Sequence, residues 1–163
     1  MASRRKAREC ALQMLFQWDI GRESPQTVQE LFWSEKKSPE EKSLRSFANE
    51  LLTGTLGALK EIDRLIRAHA EHWRMERMGV VDRNLLRLGI YELRWHPETP
   101  AAVVINEALE IARKFSGEET VHFINGLLDR VHKEIEAGQG GPGSQTEGAP
   151  GKRKPPRKPG VRC

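Results

Sequence analysis

Between Val81 and Ile135 apolar residues return every three or four positions, in three successive runs. The first is Val81, Leu85, Leu88, Gly89 and Leu93. The second is Ala101, Val104, Ile105, Ala108, Ala112 and Phe115. The third is Val121, Ile124, Leu128, Val131 and Ile135. A helix turns once per 3.6 residues, so each run predicts one helix with one continuous apolar face. Pro97 and Pro100 part the first run from the second, and Ser116-Gly117 parts the second from the third. Breaks this short favour antiparallel neighbours. None of the three helices is stable alone, because helical stability comes mainly from burying such a face. They predict a core that the rest of the chain caps or hangs from.

Upstream, Ser3 is a good N-cap for a first helix whose stripe is Ala11, Leu12, Leu15 and Phe16, with Trp18 and Ile20 near its end at Gly21. Ser24-Pro25 opens a short second helix carrying Val28, Leu31 and Phe32. Ser38, Pro39 and Glu41 then form a capping box with proline at the first helical position. One long helix is predicted to follow, with the stripe Leu44, Phe47, Ala48, Leu51, Leu52, Thr55, Leu59, Ile62 and Ile66. Gly54 and Gly57 interrupt it, each costing about 1 kcal/mol against alanine. They can admit a close neighbour or mark a kink. Residues 69–77 read as a polar bridge containing Trp73. The predicted class is all-α.

Charge changes the picture at both ends. The chain carries a formal +4, yet residues 137–163 hold six Lys/Arg against one acid, leaving residues 1–136 close to neutral. The segment from Ala137 on, rich in Gly and Pro, has almost nothing to bury and is expected to be disordered. The predicted organisation is a domain over residues 1–136 and a basic tail over 137–163. At the other end, Arg4, Arg5, Lys6 and Arg8 occupy the first turns of a helix. Positive charge there opposes the helix dipole, which prefers acids. Something anionic from outside would offset the conflict, and a concentrated cationic patch is a nucleic-acid signal. Cys10 and Cys163 form no disulfide or metal framework. No signal peptide or 18-residue apolar run is present, so the sequence points to a soluble cytoplasmic protein.

Catalytic chemistry finds little support. No glycine-rich phosphate loop leads into a helix. His69, His72 and Glu76 have a spacing that could hold a metal, but too few ligands converge. Asn106, Glu107 and Glu110 read as the polar side of an amphipathic helix. Asn125-Gly126 is unfavourable inside a helix. It fits either a tight crossing at Gly126 or a bound partner. No enzyme, cofactor or metal is expected.

The segments R-R-K-A-R-E-C-A-L-Q-M-L-F-Q-W-D, R-N-L-L-R-L-G-I-Y-E-L, P-A-A-V-V-I-N-E-A-L-E-I-A-R-K-F and F-I-N-G-L-L-D-R-V span about residues 3–135. In that order they closely resemble the NusB family of bacterial transcription antitermination factors. The resemblance implies two small antiparallel helical bundles in one compact domain. It also implies binding to the single-stranded boxA element of ribosomal RNA leaders, together with the ribosomal protein NusE. The assembly would join an RNA polymerase elongation complex with other Nus factors. Arg4, Arg5, Lys6 and Arg8 match the family's arginine-rich motif and would contact phosphate. Phe16, where the family often has Tyr, and Phe123 would stack on bases. Asp82 and Glu119 match acidic positions near the RNA. NusB-like domains also precede methyltransferase domains in some RNA-modifying enzymes, but the residues after 137 leave no room for one. A pure protein-interaction module is the third alternative. A helical face could also close a homodimer.

Overall fold

The computed structural model describes residues 4–36, 42–70 and 74–138. Seven α-helices appear among them: α1 (Arg4–Gly21), α2 (Pro25–Ser34), α3 (Lys42–Gly57), α4 (Leu59–His69), α5 (Val80–Trp95), α6 (Ala101–Phe115) and α7 (Glu118–Gly138). Helices α1, α2 and α3 pack together as one bundle, and α4 to α7 as the other, with α5 lying against both α1 and α3. The Ser38 capping box, Ser3, His72, Trp73 and the tail from 139 lie outside the described residues.

The cap at Ser24 forms as its sequence demands. Its hydroxyl accepts from the Thr27 N–H at 3.1 Å, and Pro25 fills the first helical position, where no N–H is needed. The long helix predicted across residues 42–69 is two helices. The chain breaks at Gly57–Ala58, where the Ala58 N–H bonds to both Gly54 and Thr55 carbonyls. The bridge after α4 is less polar inside than it reads: Met75 and Met78 are buried around a short 3-10 turn.

The two glycines of α3 separate into the two roles open to them. Gly57 faces open space at the break. Gly54 is where α3 meets α5: a Cβ there would overlap the phenol of buried Tyr91, whose hydroxyl donates to Glu50 at 2.6 Å. We therefore expect Gly54→Ala to destabilise the protein by about 1–3 kcal/mol in urea unfolding despite its better helix propensity. Gly57→Ala should be neutral or stabilising by up to about 1 kcal/mol. Equal effects at the two positions would contradict this assignment. Close approach in the second bundle falls at Gly89, where a Cβ would lie 3.2 Å from Leu128 of α7. It does not fall at Gly126, where a Cβ would meet only the tip of the Arg130 side chain, and Asn125 is exposed.

Helix α5 departs most from its pattern. Every residue from Asn84 to Leu93 is buried, not one face alone, because helices surround it. Its polar residues Asn84, Arg87 and Glu92 must therefore find partners inside.

Candidate nucleic-acid interface

The four cations that open α1 do not all face outward. Successive residues on a helix point about 100° apart, so each meets a different neighbour. Arg4 lays its guanidinium 3.9 Å from the centre of the Phe47 ring of α3. Arg5 forks onto Glu107 of α6, with Nε 2.7 Å from Oε1 and Nη2 3.0 Å from Oε2. Lys6 is exposed. Arg8 points inward and is buried. Its Nε and Nη2 donate to Glu92 of α5 at 2.6 and 2.8 Å. The expectation of four outward cations is corrected here for Arg8. The dipole conflict also has a partly internal answer, since Glu92 and Glu107 bring carboxylates to the start of α1. The hydrogen bonds from Arg5 hold the Glu107 carboxyl below its ordinary range.

Arg4, Arg5 and Arg8 share a cavity of about 520 Å³ with Thr99, Val103 and Glu107. Behind it His96 sits between Glu50 at 2.8 Å and Glu98 at 2.7 Å, with its ring edge-on to Phe47. Burial works to lower the His96 pKa, but the two carboxylates outweigh it and the net shift is upward. That ring braces the aromatic platform under Arg4.

From this cavity a line of contacts runs down the flank between α1 and α6. Arg5, Glu9 and Phe16 fall on one face of α1, at spacings of four and seven. Glu107 of α6 answers Arg5, and seven residues later Lys114 answers Glu9 at 3.2 Å. Just past α6, Ser116 donates to Asp82 of α5 at 2.7 Å, and Thr120 of α7 reaches the other Asp82 oxygen at 3.5 Å. Glu119 is exposed beside it in the first turn of α7. Phe16 is 41% exposed and free to stack. Phe123 is half-buried and packs on the core. These contacts tie Arg5 of α1 to α6 and Asp82 of α5 to the junction of α6 and α7, while Phe16 and Glu119 are exposed on α1 and α7. Arg8 and, in part, Phe123 are turned inward.

Glu92, Glu107, Lys114 and Phe47 are the participants that sequence reading missed. Glu107 and Lys114 share a face of α6, but nothing local says that α1 lies on it. Among the described residues, no group of three or more His, Cys, Asp or Glu could hold a metal ion, and His69 lies against Glu134 at 2.6 Å. None of the described helices is long and apolar enough to cross a membrane.

A model described as the NusB family matches residues 5–133. The chain belongs to the NusB family. The transcription antitermination protein NusB of Koribacter versatilis is 56% identical over 135 residues, spanning 83% of this chain and 92% of its own. Among solved structures, NusB of T. maritima superposes with a TM-score of 0.74 at 35% identity, covering 82% of this chain and 92% of that one. A complex of the antitermination factors NusB and NusE with double-stranded RNA matches with a TM-score of 0.73 at 29% identity, covering 80% and 96%. The NusB match begins at Arg5 and runs into α7, so Arg5, Arg8, Phe16 and Asp82 lie inside it and Arg4 lies just outside.

Proposed function

We infer that this NusB-family chain is a transcription antitermination factor and not an enzyme. It binds boxA-type single-stranded RNA of nascent ribosomal RNA leaders together with the ribosomal protein NusE. It acts in the cytoplasm on the RNA polymerase elongation complex with other Nus factors. The observation that carries this reading is the family match extending over a cationic, half-open cavity at the start of α1. Arg4, Arg5 and Lys6 supply phosphate contacts, the forked guanidinium of Arg5 exchanging Glu107 for a phosphate. Phe16 offers a ring to a base. Asp82 and Glu119 are carboxylates able to accept from base amino groups. Phe123 supports the wall and stacks if the strand reaches it. We assign Arg8 to holding α1 on α5, so that its neighbours stay in register with the strand.

An exposed ring and edge-reading carboxylates suit unpaired bases, whose faces and edges are accessible, better than a duplex. The test is a titration of boxA RNA, single-stranded and duplex, into the chain with NusE. Replacing Arg4, Arg5 and Lys6 together by Ala should weaken single-strand binding by about a hundredfold at low salt. It should also cut the slope of log K on log salt by about 2, or 0.7 per phosphate. Unchanged affinity in a variant of native helicity, or preference for the duplex, would overturn this placement of the strand.

A further inference from the structure

We propose that the arginine-lined pocket at the far end of α1 is a second phosphate-binding site, which holds the RNA strand where it leaves the flank described above. The proposal rests on the RNA-binding reading of this chain and extends it to a part of the surface that none of the residues assigned above occupies.

The pocket, of about 360 Å³, lies between the end of α1, helix α4 and the start of α5. Arg22, the residue after α1, has φ of +62°, the left-handed conformation uncommon for residues other than glycine. Its N–H bonds to the Trp18 carbonyl at 2.7 Å. The guanidinium is laid over the Trp18 ring, 5.2 Å from its centre. The left-handed residue closes the last turn of α1, a common helix ending, and the stacked ring holds the guanidinium at the pocket.

The pocket's two inner carboxylates are already committed. Asp63 takes both prongs of Arg87, at 2.9 and 3.0 Å. Asp19 accepts from Arg83 at 2.8 Å, Asn84 at 3.0 Å and Arg87 at 3.3 Å. Arg83 spends Nε on Asp19 and Nη1 on two carbonyls, and its Nη2 makes no hydrogen bond among the described residues. At the rim, neither Arg22 nor Arg67 forms an ion pair with a described carboxylate. Glu76 also lines the rim and stands 3.9 Å from Arg74. The uncommitted donors are therefore those of Arg22, Arg67 and Arg83, converging on one small space.

A phosphate matches this set. Its oxygens accept from guanidinium forks, and Trp18 and Asp19 hold two of the three arginines in place before anything binds, which lowers the entropy lost on binding. The 18 residues of α1 put about 27 Å between the opening cations and this pocket. A strand engaged at the first site needs several more nucleotides to reach the second.

The test uses the full chain with NusE and two kinds of oligoribonucleotide. One is cut to the boxA element. The others extend it by about six nucleotides on the 5′ or the 3′ side, within the span of a single-strand groove. For the unmodified protein, one of the two extensions should tighten binding about tenfold. For Arg22→Ala with Arg67→Ala, the boxA core should bind as before while that gain disappears, and the salt slope on the extended RNA should fall by about 1.4. Arg22→Lys with Arg67→Lys should recover part of the gain. If neither extension tightens binding, or the double variant keeps the whole gain, the second site does not exist. If the double variant instead loses NusE with RNA affinity otherwise intact, the pocket is a protein contact and the proposal falls. If the boxA core itself fails to bind the unmodified protein, the functional reading falls, and this proposal with it.

Discussion

Replacing Arg8 by Ala should lower stability in urea unfolding by roughly 3–5 kcal/mol, the range for removing one partner of a buried ion pair. The reason is what remains. Glu92 is 3% exposed and would be left buried without the two N–H donors of Arg8. Arg5→Ala serves as the control. That pair is half open to solvent, with the Arg5 side chain 45% exposed, so its loss should cost far less than the loss of Arg8. An apolar replacement of both partners, Arg8→Met with Glu92→Leu, should recover most of the loss, because no charge is left stranded. If Arg8→Ala kept full stability and lost RNA affinity alone, Arg8 would be a contact residue and its inward pairing unimportant.

Arg87→Ala should be comparably damaging, again by roughly 3–5 kcal/mol, because one side chain neutralises carboxylates from two other helices. Asp63 of α4 and Asp19 of α1 both point at it, and all three are buried. The loss should depend on pH. Burial pushes the Asp19 carboxyl upward, but hydrogen bonds from Arg83 and Asn84 and the charges of Arg83 and Arg87 outweigh it. Its pKa in the folded protein lies below the ordinary 3.8. A depressed folded pKa stabilises the protein above the unfolded value, and this contribution fades as pH falls through the folded one. The gap in melting temperature between the unmodified protein and Arg87→Ala should thus be widest above about pH 4 and narrow in stronger acid. A gap that stays constant would mean that these carboxylates are not what Arg87 stabilises.

Several elements were legible because their causes are local. Ser24 and Pro25 start α2 through groups on the same turn. The stripe of α7 is buried at Val121, Ile124, Leu128, Val131 and Ile135, and that of α6 at Val104, Ala108 and Ala112, while Ala101 and Ile105 are half-buried and Phe115 at its end is exposed. The break in the long upstream helix was visible as two glycines, but not which would bend and which would touch. That depended on Tyr91, 37 residues away along the chain from Gly54. The cationic start of α1 stood out as an electrostatic anomaly. Its resolution did not, since Glu92 and Glu107 lie 84 and 102 residues from the arginines they meet.

By itself, the sequence determined an all-helical chain, where most helices begin and end, and which family it belongs to, because helix period, caps and family motifs are written in neighbouring residues. Tertiary structure alone decided which charges face water. A helix presents its residues all around its axis, and whether a given arginine meets solvent, a ring or a carboxylate depends on which other helix lies on that side. In α5 that choice turned an apparently one-sided helix into a fully surrounded one. In α1 it gave Arg5 and Arg8 each a carboxylate and laid Arg4 on an aromatic ring.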